Sequence, residues 1–346
     1  MTLRRRLVRK HWRFRQPFSN ARSTWQERES IELALEHGSH VGLGEAAPLP
    51  RFSPETLSDA ERALESVSLD RLSDMVERCC EEPGSIVPAL ATLSSIVVPS
   101  ARFALESALL GLVARRRQKP LAELLFAQAA TPTRAWRELA QLVDVAAAEE
   151  HARSALSEGY TTLKLKLNTQ LGFERELDAL LQLRSRFGNS VRLRLDANGS
   201  FTRDGFAHAS QALAAVGPEF IEEPLPKGEA RLAQTLLPVA LDESLSAPDA
   251  LVPTELSREN VRVLVLKPTL LGGVCATLAF VQRAQALGLD WVLSHTFEGV
   301  VGYRALTALA LALPEPRFAH GLGYHAALTE SPEALGIHRG QLGQTA

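Results

Sequence analysis

Six charged residues at regular intervals carry the chemistry open to this sequence: Lys164, Lys166, Asp196, Glu222, Asp242 and Lys267. The carboxylates are 26 and then 20 residues apart, and Lys267 follows Asp242 by 25. Each closes or sits within a short apolar run. In a strand, residues two apart share a face. Lys164 and Lys166 therefore point together, with Leu163, Leu165 and Leu167 opposite. Arg192, Arg194 and Asp196 share a face against Leu193 and Leu195, and Val263, Val265 and Lys267 share one against Leu264 and Leu266. If helices cover the leucine faces, the charged set lines an interior. Charges there are costly unless they answer one another. Three converging carboxylates call for a cation, and all-oxygen ligands with room for water and substrate suit Mg²⁺, or Mn²⁺ in its place, better than zinc. A metal chelating a substrate carboxylate would stabilise an enediolate, the hard step in removing a proton α to that carboxylate. A lysine can act as the base once the metal and a neighbouring ammonium lower its pKa. The competing reading is a structural salt-bridge cluster, which does not require all six residues to be in phase.

These residues need elements that repeat. From about residue 136, apolar runs alternate with helical stretches: Gln141–Val145, Thr162–Lys166, Val191–Asp196, Phe220–Glu222, Val239–Asp242, Val261–Lys267, Trp291–Ser294 and Phe318–His320. Eight βα-sized units favour a closed parallel barrel, with an open doubly wound sheet as the alternative. No dinucleotide-type glycine fingerprint opens any of the helices, which weakens that alternative. In a barrel the charged set falls at the C-terminal mouth, where such enzymes place their chemistry. The spacing of one βα unit puts the charged residues at equivalent heights.

The first hundred residues read differently. Arg13–Gln16 and Ser30–Leu35 suggest strands, Gly42–Pro50 a loop, and Ser53–Pro54 the cap and first position of a helix. Residues between Pro17 and Trp25 suggest a lid. A chain of 346 residues allows two domains, or a barrel with an appendage. A net charge of −2 gives no field for nucleic acid. The Arg4–Arg6 run with Arg9 and Lys10 reads as a solvated edge. No apolar run reaches the ~18 residues of a membrane span, and Trp12–Arg15 interrupts any signal peptide. Three cysteines form neither a disulfide framework nor a zinc spacing, so Cys79 and Cys80 read as a reduced pair on a helix and the location as cytoplasmic.

The same residues resemble the signature of the enolase superfamily, in its lysine-pair branch. Lys164-Leu165-Lys166 resembles the K-x-K motif. Leu195-Asp196-Ala197-Asn198, Ile221-Glu222-Glu223-Pro224, Leu241-Asp242-Glu243-Ser244 and Leu266-Lys267-Pro268 follow the metal and second-lysine motifs in order. The resemblance implies an α/β fold: a modified TIM barrel, (β/α)7β, with an α+β capping domain. It divides the chain into a cap (1–100), a catalytic barrel (101–320) and a C-terminal segment (321–346) packing back on the cap. It implies Mg²⁺ on Asp196, Glu222 and Asp242, with Lys166 and Lys267 facing each other across a small-molecule carboxylate substrate. A lysine or histidine base working beside Mg²⁺ is chemistry general to that superfamily.

Within it, the sequence is most similar to the o-succinylbenzoate synthase family. Gly42–Thr56 resembles that family's cap loop, Arg194 its active-site arginine, and Lys267–Gly273 its sixth-strand motif. The reaction implied is syn dehydration of 2-succinyl-6-hydroxy-2,4-cyclohexadiene-1-carboxylate, a carbon–oxygen lyase step of menaquinone biosynthesis. Lys166 would take the α-proton and then protonate the departing hydroxyl. Lys267 would be the opposing cation, and Lys164, Arg194, Ser294 and Thr296 would contact substrate. The seventh strand departs from the pattern: Ser294-His295-Thr296-Phe297-Glu298 replaces the usual serines and introduces a histidine. Rival activities are N-acylamino-acid racemase, dipeptide epimerase and muconate cycloisomerase. The epimerase reading expects Asp-x-Asp after the eighth strand, where this chain has His320-Gly321-Leu322-Gly323-Tyr324-His325. A non-catalytic binding barrel would have lost ligands or lysines, and none is lost. Oligomeric state is left open.

Overall fold

The computed structural model describes residues 2–19, 24–82, 84–126, 136–167, 172–230, 235–246, 261–325, 328 and 330–343. Of the lid expected between Pro17 and Trp25, residues 20–23 lie outside this set.

The N-terminal third is an antiparallel sheet, ordered β1 (Arg4–Ser19), β2 (Thr24–His37) and β3 (His40–Ala46). Against it lie α1 (Leu57–Ser66) and α4 (Pro99–Arg117), with α2 (Leu69–Glu81) packed on α4 and α3 (Ile86–Ala91) on α2. The expected loop at Gly42–Pro50 is strand as far as Ala46. Two glycines permit this. A Cβ on Gly42 or Gly44 would lie 1.9 Å from the Ala108 or Ala104 carbonyl oxygen, so β3 lies backbone-to-backbone on α4. The first helix also begins later than expected. Thr56, not Ser53, is its N-cap, because Asp59 three residues on completes a capping box. Ser53 instead accepts a hydrogen bond from the Leu49 amide at 2.8 Å. The basic run at Arg4–Arg6 lies in β1, where Arg5 donates to the carbonyls of Leu64, Glu65 and Val67 at the end of α1. Cys79 and Cys80 are free thiols on α2.

After α5 (Leu121–Leu125) and β4 (Trp136–Glu138), the barrel begins. Its parallel strands are β5 (Ala140–Val143), β6 (Thr162–Lys166), β7 (Arg192–Asp196), β8 (Ile221–Glu222), β9 (Val239–Leu241), β10 (Val261–Leu266) and β11 (Asp290–Leu293), hydrogen-bonded in chain order. His320 and Gly321 form parallel bridges to Leu139 and Ser294, on the two open edges, and so close the sheet as the eighth strand. The intervening helices include α6 (Ala148–Ser157), α7 (Phe173–Phe187), α8 (Arg203–Val216), α9 (Pro268–Leu271), α10 (Val274–Leu287) and α11 (Val300–Ala312). Near the C-terminus, β12 (Ile337–His338) and β13 (Gln341–Gly343) form a small sheet with β4.

Alternation along the strands sorts the core into two. Leu163, Leu165, Leu193, Leu195, Leu264 and Leu266 join the main core under the helices. Phe220, Ala240, Val263, Val265 and Val292, with Phe318 against them, form a separate cluster filling the barrel interior. That plug is the floor on which the charged residues stand. No helix among the described residues is long and apolar enough to cross a membrane.

Candidate active site

The charged residues project from the strand ends above the apolar plug. Lys166 pairs across the sheet with Asp196, and Asp196 with Glu222, so these three share one level. Asp242 does not. Ala240 is the residue opposite Glu222, and Asp242 lies two positions further on. Strands in a tilted barrel are staggered, so equal spacing does not give equal height.

All six charged residues line one pocket, roofed by Trp25, Leu49 and Phe52 from the cap. Lys164 Nζ lies 2.9 Å from Asp196 Oδ2 and 2.5 Å from Glu222 Oε2, and Lys267 Nζ donates to Asp242 Oδ2. Lys267 also lies 5.1 Å from the centre of the Phe52 ring, a cation–π contact with the cap. Of the expected substrate contacts, Lys164 is thus held between two carboxylates. Arg194 is 1% exposed. It donates to Glu219 Oε2 and the Ala319 carbonyl, both at 2.7 Å, and stacks over Phe220. Its Nη2 has no hydrogen-bond partner among the described residues. Ser294 donates to the Gly321 carbonyl at 3.2 Å, and Thr296 donates to Glu298 at 2.6 Å.

The electrostatics separate the lysines. Burial disfavours charge on Lys164, but Asp196, Glu222 and Asp242 outweigh it and hold its pKa above the ordinary value. Lys267 is likewise held up, against burial, chiefly by Asp242 and then Glu243. Lys166 goes the other way. Burial, reinforced by the ammonium groups of Lys164 and Lys267, brings it down to about 8 against the pull of Asp196 and Glu243. His295 is pushed down to about 4 by burial, above all. Its Nδ1 accepts from the Phe297 amide, and it hydrogen-bonds the Gly323 main chain. A ring engaged in this way spans the seventh- and eighth-strand loops and is poorly placed to act as a base.

Several residues are not singled out by the sequence pattern. Glu223 turns away from the pocket at φ +38°. It accepts from the amides of Asp242 and Ser244 and from the Ser244 hydroxyl, and so fixes the chain at Asp242. Glu243 would face away if the strand continued, but a 3₁₀ turn at Glu243–Leu245 returns it to the pocket. Burial first, then Asp242, raises its carboxyl to about 8. Asn198, at φ +44°, donates to Asp196 at 2.7 Å. The doubled acids at 222–223 and 242–243 were the signal for Glu223 and Glu243, and the Asp196-Ala197-Asn198 run was the signal for Asn198.

Among the described residues, no three His, Cys, Asp or Glu side chains stand close enough as placed to hold one metal ion. The ammonium groups of Lys164 and Lys267 take the carboxylate oxygens instead. The donor set nevertheless fits a hard cation. Asp242 Oδ1 is buried without a hydrogen-bond partner among the described residues. Burial foremost, with Asp196 and Asp242 adding and Lys164 opposing, raises Glu222 to about 7. Three buried carboxylates with an open acceptor suit Mg²⁺.

Residues 147–342 match a family model described as "Enolase C-terminal domain-like", and residues 14–112 match "MenC, N-terminal domain". The o-succinylbenzoate synthase of Desulfotalea psychrophila is 27% identical, covering 95% of this chain and 96% of that protein. The L-Ala-D/L-Glu epimerase of Escherichia coli is 30% identical, covering 89% of each. "Protein PHYLLO, chloroplastic" of Arabidopsis thaliana is 28% identical over 89% of this chain, which corresponds to only 20% of that protein. The crystal structure of MenC from Desulfotalea psychrophila superposes with a TM-score of 0.79 at 25% identity, covering 99% of this chain and 100% of that one.

Proposed function

The chain belongs to the enolase superfamily, and from that premise we propose that it is an o-succinylbenzoate synthase. In this reading it dehydrates 2-succinyl-6-hydroxy-2,4-cyclohexadiene-1-carboxylate. The observation that carries this choice is the pocket wall at the eighth strand. Gly321, Gly323 and His325 line it there, and no carboxylate from that segment faces the pocket. A dipeptide's ammonium group would find no partner on that wall. A ring carrying two carboxylates would find apolar surfaces at Trp25, Leu142, Val265 and Phe297, and cations at Lys164, Lys267 and Arg194. The match of residues 14–112 to a MenC N-terminal domain supports the same choice.

Lys166, with its lowered pKa, takes the α-proton. Lys267 stays an ammonium on the other side and opposes the charge developing on the substrate carboxylate. Asp196, Glu222 and Asp242 would hold Mg²⁺, which supplies positive charge where that carboxylate becomes an enediolate. Lys166, now protonated, delivers its proton to the departing hydroxyl on the same face, which makes the elimination syn. Glu223 and Asn198 keep Asp242 and Asp196 in position throughout.

The reading that competes is epimerisation or racemisation, favoured by the E. coli relative and by a lysine pair able to exchange an α-proton from two faces. The test is to offer purified protein with Mg²⁺ the cyclohexadiene carboxylate, a dipeptide panel and N-succinyl amino acids. Ultraviolet absorbance follows the first, and α-deuterium uptake from D₂O follows the others. Dehydration with little exchange into dipeptides supports the synthase. Rapid dipeptide exchange with no dehydration refutes it.

A further inference from the structure

Two buried carboxylates of the N-terminal third reach the barrel at the two helices that follow the sixth and seventh strands. Glu106, on α4, is fully buried, and its Oε2 accepts the Cys275 amide at 2.9 Å, in the first turn of α10. Arg102, one turn back on α4, holds the other oxygen at 2.8 Å. Glu45, at the end of β3, is 1% exposed. It accepts the Gly299 amide at 2.9 Å and the Gly302 amide at 2.6 Å, at the start of α11. Amides at a helix start lack intrahelical acceptors, so a carboxylate there is well matched.

The glycines make room for these contacts. A Cβ on Gly273 would stand 2.5 Å from Glu106 Oε2, and one on Gly299 would stand 2.6 Å from Glu45 Oε1. Gly273 also has φ +106°, a backbone that other residues rarely adopt. The chain from Lys267 to α10 is thus held at both ends. Lys267 leads directly into α9, and Thr269 within it donates to Glu298 at 2.6 Å. The seventh loop is gripped similarly: Arg28, on β2, donates to the carbonyls of Ala47 and Pro48 on the cap side and of Thr296 and Phe297 on the barrel side.

We propose that Glu106 and Glu45 are positioning residues that divide the work: Glu106 sets Lys267 through the α9–α10 turn, and Glu45 sets the substrate-facing seventh loop through the start of α11. Neither lines the pocket. The proposal rests on the reading of Lys267 as the charge-stabilising cation and of Ser294–Phe297 as substrate-binding wall. An interaction made mainly in the transition state changes kcat, and one made equally with substrate changes KM. The two residues therefore have separable signatures.

The test is Glu106→Gln and Glu45→Gln in the Mg²⁺-loaded enzyme, each isosteric but with a donor NH2 in place of one of the two accepting oxygens. Kinetics are measured on whichever of the candidate substrates the wild-type enzyme turns over, so failure of the synthase reading leaves this test intact. Glu106→Gln should lower kcat about 10-fold with KM within about 2-fold. Glu45→Gln should raise KM about 10-fold with kcat within about 2-fold. Amide hydrogen exchange, which needs no substrate, should quicken only across 267–275 in the first variant and only across 295–303 in the second. Wild-type kinetics in both variants would overturn the proposal, and so would the same kcat and KM changes in both. Should Glu106→Gln fail to fold, Glu106→Asp keeps the carboxyl group with a shorter reach and carries the same kcat signature at smaller amplitude.

Discussion

As the proposed base, Lys166 can take a proton only when neutral, and its surroundings set how much of it is neutral. Its pKa falls from 10.5 to about 8, through burial first and then the ammonium groups of Lys164 and Lys267. At pH 7 a lysine titrating at 10.5 is neutral in ~0.03% of molecules, and one titrating at about 8 in ~10%, a gain of ~300-fold or about 3 kcal/mol. A cation on Asp196, Glu222 and Asp242 would offset the pull of Asp196 and move the value further down. The sign follows. Below the pKa the base is protonated, so log kcat/KM should climb with unit slope as pH rises and level off at or below about pH 8. The assay is kcat/KM from roughly pH 5.5 to 9.5 at saturating Mg²⁺, with Lys166→Arg as the control that cannot deprotonate and should lose at least ~10³-fold. A wild-type profile still climbing with unit slope beyond about pH 9 would show that burial and neighbouring charge do not prepare this lysine. That would refute the assignment of its environment.

Other outcomes follow from the same contacts. His320 is buried, accepts from the Leu293 amide at 2.9 Å, and is pushed down to about 3 by burial, aided by Arg137 and Arg194. The unfolded chain takes up that proton near pH 6.5 and the folded one does not. The stability is therefore complete above about pH 6.5 and declines by up to about 1.4 kcal/mol per pH unit below it. His320→Asn should shallow the decline in urea-melt midpoints between pH 7.5 and 5; an unchanged decline rejects this. Gly44→Ala drives a Cβ to 1.9 Å from the Ala104 carbonyl oxygen and should cost about 3 kcal/mol or more in chemical denaturation, and a wild-type midpoint would contradict the close packing of β3 on α4. Saturating Mg²⁺ should raise the wild-type Tm by about 2–4 °C and leave that of Asp242→Asn unmoved. An equal rise in both would place the ion elsewhere.

The barrel was legible in the sequence because strand alternation is a local signal. Leucines at 163, 165, 193 and 195 against lysines, arginine and aspartate identify both faces without knowledge of any partner strand. The heights were only partly legible, since stagger depends on how strands pair, and Asp242 accordingly stands two positions past the level of Glu222. Local chemistry also misled at Ser53: its hydroxyl found the Leu49 amide, and Thr56 took the helix start because Asp59 could answer it. The grip of the N-terminal sheet on the barrel was invisible. Arg28 meets Phe297 across 269 residues, and Glu45 meets Gly302 across 257, with no periodicity linking them. Only the glycines at 273, 299 and 302 hinted that something must approach closely there.

The chemistry proposed for this site turns on Lys166 removing a proton next to a substrate carboxylate while other residues hold the cation. Lys166→Ala in the Mg²⁺-loaded enzyme tests it, with turnover and Mg²⁺ affinity measured on one preparation, the latter by calorimetry. Turnover should fall by at least ~10³-fold with Mg²⁺ affinity within a few-fold of wild type. Turnover near wild type, with Mg²⁺ binding intact, would contradict that division of roles.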